Sequence, residues 1–378
     1  MENAKSNAAA ACVPCAVDLF AGAGGFSLGA IQAGFEVRVA VEKNGHAVKT
    51  YRKNIRNASG RRIAVFEGDI LDVGPSDVMV DAGLTRGQCD LLLGGPPCQG
   101  FSSHRLGQAG VDDPRNELLL RYFSFVEALR PRAFLLENVP GLLQPKHADY
   151  LERFVRKARE CRYNIVGPVV LNARDFGVPQ NRKRVFVLGI CEDVAQIDLH
   201  WPPAPTHAEL EEARKAGLLP WRTAADAFKP MGRIGDPNAV HMNHGKALIE
   251  AFRSTPVNGG SRSQSNRILP CHAGHHGHHD VYGRICVDHP SPTMTTACIN
   301  PSKGRFVHPY KHHGISAREA ARLQTFPDDF VFEGGLMAAG VQIGNAVPVR
   351  LAQALCSSLR QSLTVEELPQ VEESLCST

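Results

Sequence analysis

A single cysteine stands in a setting that suits nucleophilic chemistry. Cys98 lies in the segment GGPPCQGFS, residues 94–102, directly after the apolar run 91–93. That run predicts a buried strand, and the two glycines and two prolines after it make a stiff turn that presents the thiol. Ligands of open α/β sheets bind at the carboxyl ends of the strands. Cys98 is therefore a candidate nucleophile, and the alternative is a buried, inert thiol.

Three charged residues further along the chain could assist such a nucleophile. Glu137 ends a predicted strand over 133–136, within ENVPG, and a carboxyl group there can act as an acid when its surroundings favour protonation. Arg182 and Arg184 alternate with Lys183, so both arginines face the same side of a strand. Such a pair suits phosphates or base edges. For Glu137 the alternative is a carboxylate that caps a turn. For the two arginines the alternative is a charged edge strand at the surface.

A glycine-rich turn near the start of the chain predicts a cofactor site. A strand over 16–20 runs into AGAGGFSLGAIQAG, where Gly22, Gly24 and Gly25 form the turn and 26–33 a helix. Glu42 and Asp69 then follow the next two predicted strands. Two acids at successive strand ends suit a ribose and an exocyclic amine. The spacing is not GxGxxG and no phosphate-binding lysine motif is present, which favours a nucleoside-bearing cofactor without a polyphosphate.

The elements that must position these residues alternate between strands and helices. Strands are predicted over 37–41, 63–66, 89–93, 133–136, 165–171 and 185–190, and helices over 46–54, 116–129 and 147–160. This alternation indicates an α/β fold with a mostly parallel sheet. Near the C-terminus a helix capped by Ser316 and Glu319 precedes GVQIGNAVPVRLAQAL, which is predicted to be a glycine-rich turn opening a helix. This echo of the first turn predicts that the chain returns to the first domain.

The region between these blocks has a different character. WPPAPTH, residues 201–207, is typical of a stiff linker, and the sequence to about 309 is irregular, with short helices expected near 208–216 and 246–253. Five histidines lie between 272 and 279 without acidic or cysteine partners at firm spacing, so no metal site is expected. We expect this region to be a second, smaller domain of loops and short strands.

Composition narrows the functional class only mildly. The chain has 378 residues and a formal charge of +4, which permits an anionic partner without demanding one. Eleven scattered cysteines do not form a disulfide pattern and favour a reducing, cytoplasmic setting. We expect no signal peptide and no membrane partner, and we expect residues 1–11 and 364–378 to be flexible tails.

Taken in order, the motifs resemble those of the bacterial-type DNA (cytosine-5)-methyltransferases. The matching segments include DLFAGAGG, GGPPCQGFS, ENVPG, QNRKR, REAARLQTFPD and GNAVP, and they span the chain from about Val17 to Leu359. Each segment alone is a weak signal, but the ordered series is specific. The middle of the second domain has no match.

The resemblance implies a role for each matching residue. It implies Cys98 as nucleophile, with Glu137, Arg182 and Arg184 as the other catalytic residues, and S-adenosyl-L-methionine as cofactor. The residues implied to bind the cofactor are Phe20, Gly22, Gly24, Glu42, Asp69, Ile70, Pro97, Asn345 and Val347. Those implied to contact DNA are Gln99, Ser102, Arg105 and Gln180.

The chemistry explains why these residue types are needed. A Cys98 thiolate adding to carbon 6 of cytosine makes carbon 5 nucleophilic toward a methyl donor. Proton donation by Glu137 to ring nitrogen 3 eases this addition, and Arg184 could hold the ring oxygen and steady Glu137. The base must be flipped out of the duplex, and the loop after Cys98 would close over it.

The resemblance also implies an architecture and a set of partners. A Rossmann-like methyltransferase domain is expected over 12–192 plus 340–363, and a target-recognition domain and hinge over 193–339. The expected partner is double-stranded DNA, with a cognate restriction endonuclease or an orphan role as the setting, and the protein is expected to be a monomer. The DNA sequence that is recognised cannot be read from the chain.

Three other functions compete with this interpretation. Related enzymes that methylate transfer RNA carry a Cys-Phe-Thr tripeptide in the second domain, and no such tripeptide occurs here. A non-catalytic binding module would not need the intact Cys98, Glu137, Arg182 and Arg184. A dehydrogenase would leave the proline–cysteine segment without a role, and the glycine spacing does not suit one.

Overall fold

The fold is built on one seven-stranded sheet. The computed structural model describes residues 13–96, 114–194, 198–230, 235–266 and 280–363, with the backbone alone for 114–116. The strands of the sheet are β1 (Cys15–Leu19), β2 (Glu36–Glu42), β3 (Ala64–Glu67), β4 (Leu91–Gly94), β5 (Ala133–Asn138), β6 (Tyr163–Asn172) and β7 (Lys183–Cys191). Their spatial order is β3-β2-β1-β4-β5-β7-β6.

The direction of the strands places several strand ends at one edge. The pairs from β3 through β2, β1 and β4 to β5 are parallel, whereas β7 is antiparallel to both β5 and β6. The order reverses between β1 and β4, because the chain moves outward to β3 before it returns beside β1. In open α/β sheets such a reversal creates the crevice in which ligands bind.

Helices cover both faces of the sheet. The helices in the described ranges are α1 (Gly25–Gln32), α2 (Gly45–Asn54), α3 (Pro75–Ala82), α4 (Pro114–Leu129), α5 (Ala148–Glu160), α6 (Leu210–Ala216), α7 (Lys246–Ser254), α8 (Ala317–Leu323), α9 (Gly335–Asn345) and α10 (Val349–Leu363). Alternate strand residues bury on opposite sides: Ala16 packs with α1 and α10, whereas Val17 packs with α3, α4 and α5. The strands are therefore apolar on both faces, as a doubly covered sheet requires.

The structure differs from the prediction at two elements. Helix α3 was not predicted, because its eight residues carry only a short apolar pattern after Gly74 and Pro75. The predicted glycine turn at GVQIGN was wrong, because these residues form the last part of α9. Its glycines serve close packing: a Cβ added at Gly340 would lie 2.9 Å from Ile299, and one at Gly344 would lie 2.2 Å from the backbone of Thr295.

The region between β7 and α8 is irregular, as predicted. Its described elements are α6, α7 and two-residue strands β8 (His207–Ala208) and β9 (Leu219–Pro220), which pair in parallel. The capping box of Ser316 and Glu319 at the start of α8 is confirmed. One hydrophobic cluster contains Met294 and Ile299 from this region together with Ala30 of α1. The predicted division into two domains therefore crosses a continuous core.

Membrane-spanning helices and metal-binding clusters are both absent from the described residues. No helix in the described ranges is both long and apolar enough to cross a membrane. Over the same part of the chain, no group of three or more histidine, cysteine or acidic side chains is arranged to hold a metal ion. The histidines between 272 and 279 lie outside the described residues.

Candidate active site

The glycine turn after β1 forms one wall of the crevice. Phe20, Gly22 and Gly24 all have positive φ, at 60°, 56° and 94°, so the backbone turns sharply before α1 begins. A Cβ added at Gly22 would meet nothing within 4 Å, so the turn opens into free space on that side. The strand, turn and helix predicted for this segment are confirmed.

Glu42 is fixed at the end of β2 beside this turn. Its Oε2 accepts a hydrogen bond from the backbone N–H of Gly22 at 2.8 Å, and its Oε1 accepts one from the N–H of Asn44 at 2.7 Å. These two bonds fix the orientation of the carboxylate. Each oxygen keeps a further lone pair, so Glu42 can also accept hydrogen bonds from the hydroxyls of a bound ribose.

The loop after β3 supplies the opposite wall. Ile70 is buried in the core beneath α3 and α4, while the Asp69 carboxylate accepts a hydrogen bond from the N–H of Leu71 at 3.1 Å. Lys43 Nζ lies 3.4 Å from the other oxygen of Asp69. The N–H of Gly68 donates to the carbonyl of Glu42 at 3.1 Å, so the ends of β2 and β3 stay side by side.

The segment GNAVP reaches the same crevice from the far end of the chain. Asn345 ends α9 and is exposed, and Val347 is buried. A Cβ added at Gly25 would lie 2.5 Å from the carbonyl oxygen of Val347, so only glycine allows the two turns to meet. The open side of Gly22, the oriented Glu42 and this junction fit a cofactor that carries a nucleoside and an amino-acid moiety.

A buried polar chain that the sequence analysis missed lies beneath the glycine turn. Ser27 Oγ donates to Asp18 Oδ2 at 2.5 Å and accepts from the hydroxyl of Tyr51 at 2.8 Å. Burial raises the pKa of the Asp18 carboxyl to about 7, and the hydrogen bond from Ser27 opposes this increase. The available signal was an acidic residue inside an otherwise apolar strand, which needs a partner when it is buried.

Glu137 and Arg184 form an ion pair at the ends of β5 and β7. Arg184 Nε lies 2.8 Å from Glu137 Oε1, and the two side chains are 13% and 11% exposed. A Cβ added at Gly95 would lie 3.6 Å from the second oxygen, Oε2, of Glu137. The strand end that leads to Cys98 therefore passes directly beside the carboxylate. This pairing of Glu137 with Arg184 is the contact that the sequence analysis expected.

Asn138 ties the two strand ends together. Its Nδ2 lies 3.5 Å from the carbonyl oxygen of Pro96, and its Oδ1 accepts a hydrogen bond from the N–H of Val139 at 2.9 Å. Pro96 is the last described residue before Cys98. The turn that leads to the cysteine is thus tethered to the strand that carries Glu137.

Arg182 and Gln180 differ from their expected roles. Arg182 is buried and donates to the carbonyls of Met294 at 2.8 Å, Gly344 at 2.9 Å and Ala346 at 3.1 Å, so its guanidinium is directed into the protein. Gln180 is also buried, and its amide bonds to Leu323, Gln324 and Met294. A direct contact of Gln180 with DNA is therefore not made from this position. The expected DNA contact of Gln180 came from the resemblance, and the alternation of Arg182 with Arg184 along a strand does not report burial.

Several expected site residues cannot be located. Those outside the described residues are Pro97, Cys98, Gln99, Ser102 and Arg105. Of the remaining ones, Phe20, Gly22, Gly24, Glu42, Asp69, Ile70, Asn345 and Val347 line or flank the crevice at the strand ends. Glu137 and Arg184 stand at the ends of β5 and β7, and β4, which leads toward Cys98, lies between β5 and β1.

This geometry defines an α/β enzyme with a nucleoside-type crevice next to a Glu–Arg pair, and comparison with known proteins agrees with it. Residues 15–361 match the family model described as C-5 cytosine-specific DNA methylase. The Type II methyltransferase M1.HphI of Haemophilus parahaemolyticus is 34% identical over 358 residues, covering 93% of this chain and 87% of that protein. The Type II methyltransferase M.Eco47II of Escherichia coli is 33% identical over 350 residues, covering 91% and 78%.

Solved structures give the same result at the level of the fold. A putative DNA modification methyltransferase encoded within an E. coli prophage has a TM-score of 0.72 and 25% identity, over 93% of this chain and 99% of that one. The Dnmt2 methyltransferase of S. pombe has a TM-score of 0.55 and 18% identity, over 93% and 99%, and shares the fold.

The chain belongs to the family of C-5 cytosine-specific DNA methylases. It is an S-adenosylmethionine-dependent enzyme that methylates carbon 5 of cytosine in DNA. The expected Rossmann-like methyltransferase fold is confirmed by the sheet and by the structural neighbours. The family and the cofactor predicted from the motifs are likewise confirmed.

Proposed function

We propose that Cys98 is the nucleophile and that Glu137 and Arg184 are its catalytic partners. The Glu137–Arg184 ion pair, which stands beside the strand end leading to Cys98, is the observation that carries this assignment. The thiolate of Cys98 adds to carbon 6 of an extruded cytosine, and a thiolate forms more readily near positive charge. Carbon 5 then gains the electron density needed to accept a methyl group.

Glu137 delivers and holds a proton at ring nitrogen 3. A carboxyl in this role must reach the base edge with one oxygen while the rest of the group is fixed. The Nε of Arg184 occupies Oε1, which leaves Oε2, the oxygen near Gly95, directed at the space beside the β4 end. Nη1 of Arg184 donates a hydrogen bond to the carbonyl of Lys183. The remaining guanidinium donors of Arg184 are available to the carbonyl oxygen of the base.

The crevice between the β1, β2 and β3 ends holds the cofactor. When bound there, S-adenosylmethionine supplies an electrophilic methyl group on a sulfonium. Glu42 accepts hydrogen bonds from the ribose hydroxyls, and Asp69 with Ile70 receives the adenine. Asn345 and Val347 lie at the end of the crevice suited to the amino-acid moiety, where Gly25 permits the close junction of the two turns.

The remaining assignments concern the DNA and the cellular setting. We propose that residues 193–339 carry target recognition and that Gln99, Ser102 and Arg105 contact the DNA. Pro97 is proposed to contact the cofactor, and Arg182 and Gln180 to support the site from the interior. The names of the curated relatives support a restriction–modification setting with a cognate endonuclease. The protein is proposed to act as a cytoplasmic monomer.

Methyl transfer to two nucleic acids tests the function. Purified protein is incubated with labelled S-adenosylmethionine and either plasmid-length duplex DNA or transfer RNA, and bisulfite sequencing of the DNA then identifies the site. We expect label in the DNA, at one short sequence, and none in the RNA. Label in the transfer RNA alone would contradict the proposal. C98S should bind the cofactor with unchanged affinity and transfer no methyl.

A further inference from the structure

An arginine on α4 holds the loop that forms the adenine side of the cofactor crevice. Arg121 Nε donates to the carbonyl of Ile70 at 2.7 Å, and its Nη2 donates to the carbonyl of Val73 at 2.6 Å. Its guanidinium also lies 5.5 Å from the ring centroid of Phe125, one turn further along α4. One side chain therefore fixes both the beginning and the end of a four-residue stretch.

Arg121 supplies the hydrogen bonds that attach this loop to helix α4. Among described residues, the other hydrogen bonds of 69–73, apart from the contact with Lys43, are local and run from the N–H groups of Leu71 and Asp72 to Asp69. Lys43 reaches Asp69 at 3.4 Å, but both side chains are partly exposed, and exposed ion pairs contribute little. Hydrogen bonds from a charged guanidinium to two carbonyls are stronger and fix the geometry. Burial of the Ile70 side chain adds an apolar anchor next to them.

The helix that supplies this contact begins twelve residues after the segment 94–102 that contains Cys98. Helix α4 starts at Pro114, and Arg121 lies two turns into it. Arg121 thus joins the helix that follows the nucleophile to the loop that receives the adenine. Among the described residues of the ordered motifs, none supplies this connection.

We propose that Arg121 is a positioning residue for the cofactor, which holds Asp69 and Ile70 in place to receive the adenine of S-adenosylmethionine. The inference rests on the proposed placement of the adenine at Asp69 and Ile70. Arg121 itself touches the loop backbone and not the reacting atoms. Its loss therefore lowers cofactor affinity, while the rate constant for methyl transfer at saturating cofactor and the affinity for DNA remain unchanged.

The test compares Arg121→Met with Arg86→Met by calorimetric titration with S-adenosylmethionine. Methionine keeps an unbranched stem and removes every donor. Arg86 is the matched control, because it also donates to a backbone carbonyl, that of Glu127 on the same helix, but away from the crevice. We expect the Kd of R121M to rise about tenfold or more, which corresponds to about 1.4 kcal/mol. The Kd of R86M should stay within about twofold of wild type, which corresponds to about 0.4 kcal/mol.

Steady-state kinetics and a second variant separate positioning from general damage. The KM for S-adenosylmethionine should rise in R121M while kcat and the KM for DNA stay within about twofold. Arg121→Lys keeps the charge but offers one donor nitrogen in place of the two that reach the loop, so its Kd should be intermediate, and it decides the question if R121M does not fold. Equal Kd values for wild type and the Arg121 variants would overturn the role of Arg121 alone. Absence of cofactor binding in the wild-type protein would contradict the proposed cofactor site itself.

Discussion

At the scale of single residues, the ion pair of Glu137 and Arg184 is the part of the site that the sequence located best. Glu137→Gln removes the proton that the carboxyl delivers while keeping its size and its ability to accept a hydrogen bond from Arg184. We expect the rate constant for methyl transfer to fall by about 10²–10⁴-fold, the usual contribution of a positioned acid. Single-turnover transfer from labelled cofactor measures this, with cofactor Kd as the control. A change in Kd with an unaltered rate would contradict the assignment.

The buried carboxyl of Asp18 predicts an unusual pH dependence of stability. Its pKa in the folded protein is raised to about 7 by burial, against 3.8 for the free group. Between about pH 4 and pH 7 the folded state therefore holds a proton that the unfolded state has lost. The contribution of Asp18 is most favourable at low pH and is lost as the pH rises toward 7 and above. We expect this loss to be on the order of a few kcal/mol.

Asp18→Asn isolates that contribution. Asparagine can still accept the hydrogen bond from Ser27, but it does not ionise. Urea unfolding measures the free energy of unfolding of both proteins at pH 5 and pH 8. The difference between the variant and the wild type should shift in favour of the variant between pH 5 and pH 8. A difference between the two proteins that is the same at both pH values would contradict the raised pKa of Asp18.

Two buried tyrosines give a matched pair of predictions for the core. The hydroxyl of Tyr122 is buried with no hydrogen-bond partner among the described residues, whereas that of Tyr163 donates to the carbonyl of Pro131 at 2.7 Å. Tyr122→Phe should leave the free energy of unfolding unchanged or raise it, and Tyr163→Phe should lower it by about 1 kcal/mol. Chemical denaturation measures both. A larger loss for Y122F than for Y163F would show that the Tyr122 hydroxyl has a partner.

At the scale of elements, one glycine allows the turn after β1 to meet the turn after α9. A Cβ at Gly25 would lie 2.5 Å from the carbonyl oxygen of Val347, so Gly25→Ala must displace one of the turns. We expect G25A to weaken S-adenosylmethionine binding at least tenfold and to lower the melting temperature. Gly245 precedes α7, is exposed, and a Cβ there meets nothing within 4 Å. Gly245→Ala should therefore change stability by less than about 0.5 kcal/mol and leave binding intact.

The elements also show what patterns in the sequence can and cannot reveal. The strands of the sheet were predictable because they are mostly apolar runs, and five of the seven end at a glycine, an acid or an asparagine. Helix α3 was missed because eight residues give too little periodicity. Glycine permits both a turn and a close helix contact, so the sequence of GVQIGN does not distinguish the two. Only the approach of Ile299 and Thr295, which are distant in sequence, decides between the two.

At the scale of the whole molecule, a buried network joins residues 294–324 to the segment before β7 and to the turn after α9. Gln324 donates to the carbonyls of Ile343 at 2.6 Å and Ala346 at 3.1 Å, and it accepts from Gln180 at 2.8 Å. Arg182 bonds to Met294 and to the same cofactor-side turn. The hydrogen bond between Gln180 and Gln324 connects the segments QNRKR and REAARLQ. Spacing alone does not reveal the contacts of Gln180 and Arg182, because their partners lie more than a hundred residues away in the sequence.

Removal of the central arginine should therefore affect the entire fold. Arg182→Met leaves three buried carbonyls without their charged donor, and breaking buried pairing of this kind costs about 3–5 kcal/mol. Arg253→Met is the control, because Arg253 is exposed and, within the described part of the chain, forms an ion pair with Glu250 three residues earlier on α7. Calorimetric unfolding should show a large fall in melting temperature for R182M and almost none for R253M. Equal melting temperatures would contradict the structural role of Arg182.

The central claim is that a sulfur of this chain bonds to carbon 6 of a cytosine taken out of the duplex. Duplex DNA carrying 5-fluorocytosine at the sequence identified by bisulfite mapping tests it, because fluorine blocks the final elimination after methyl transfer. With S-adenosylmethionine present, we expect a protein–DNA adduct that survives denaturing electrophoresis and whose peptide map places the bond at Cys98. C98S should form none. A wild-type enzyme that methylates ordinary duplex but forms no adduct with the fluorinated one would contradict covalent catalysis by Cys98.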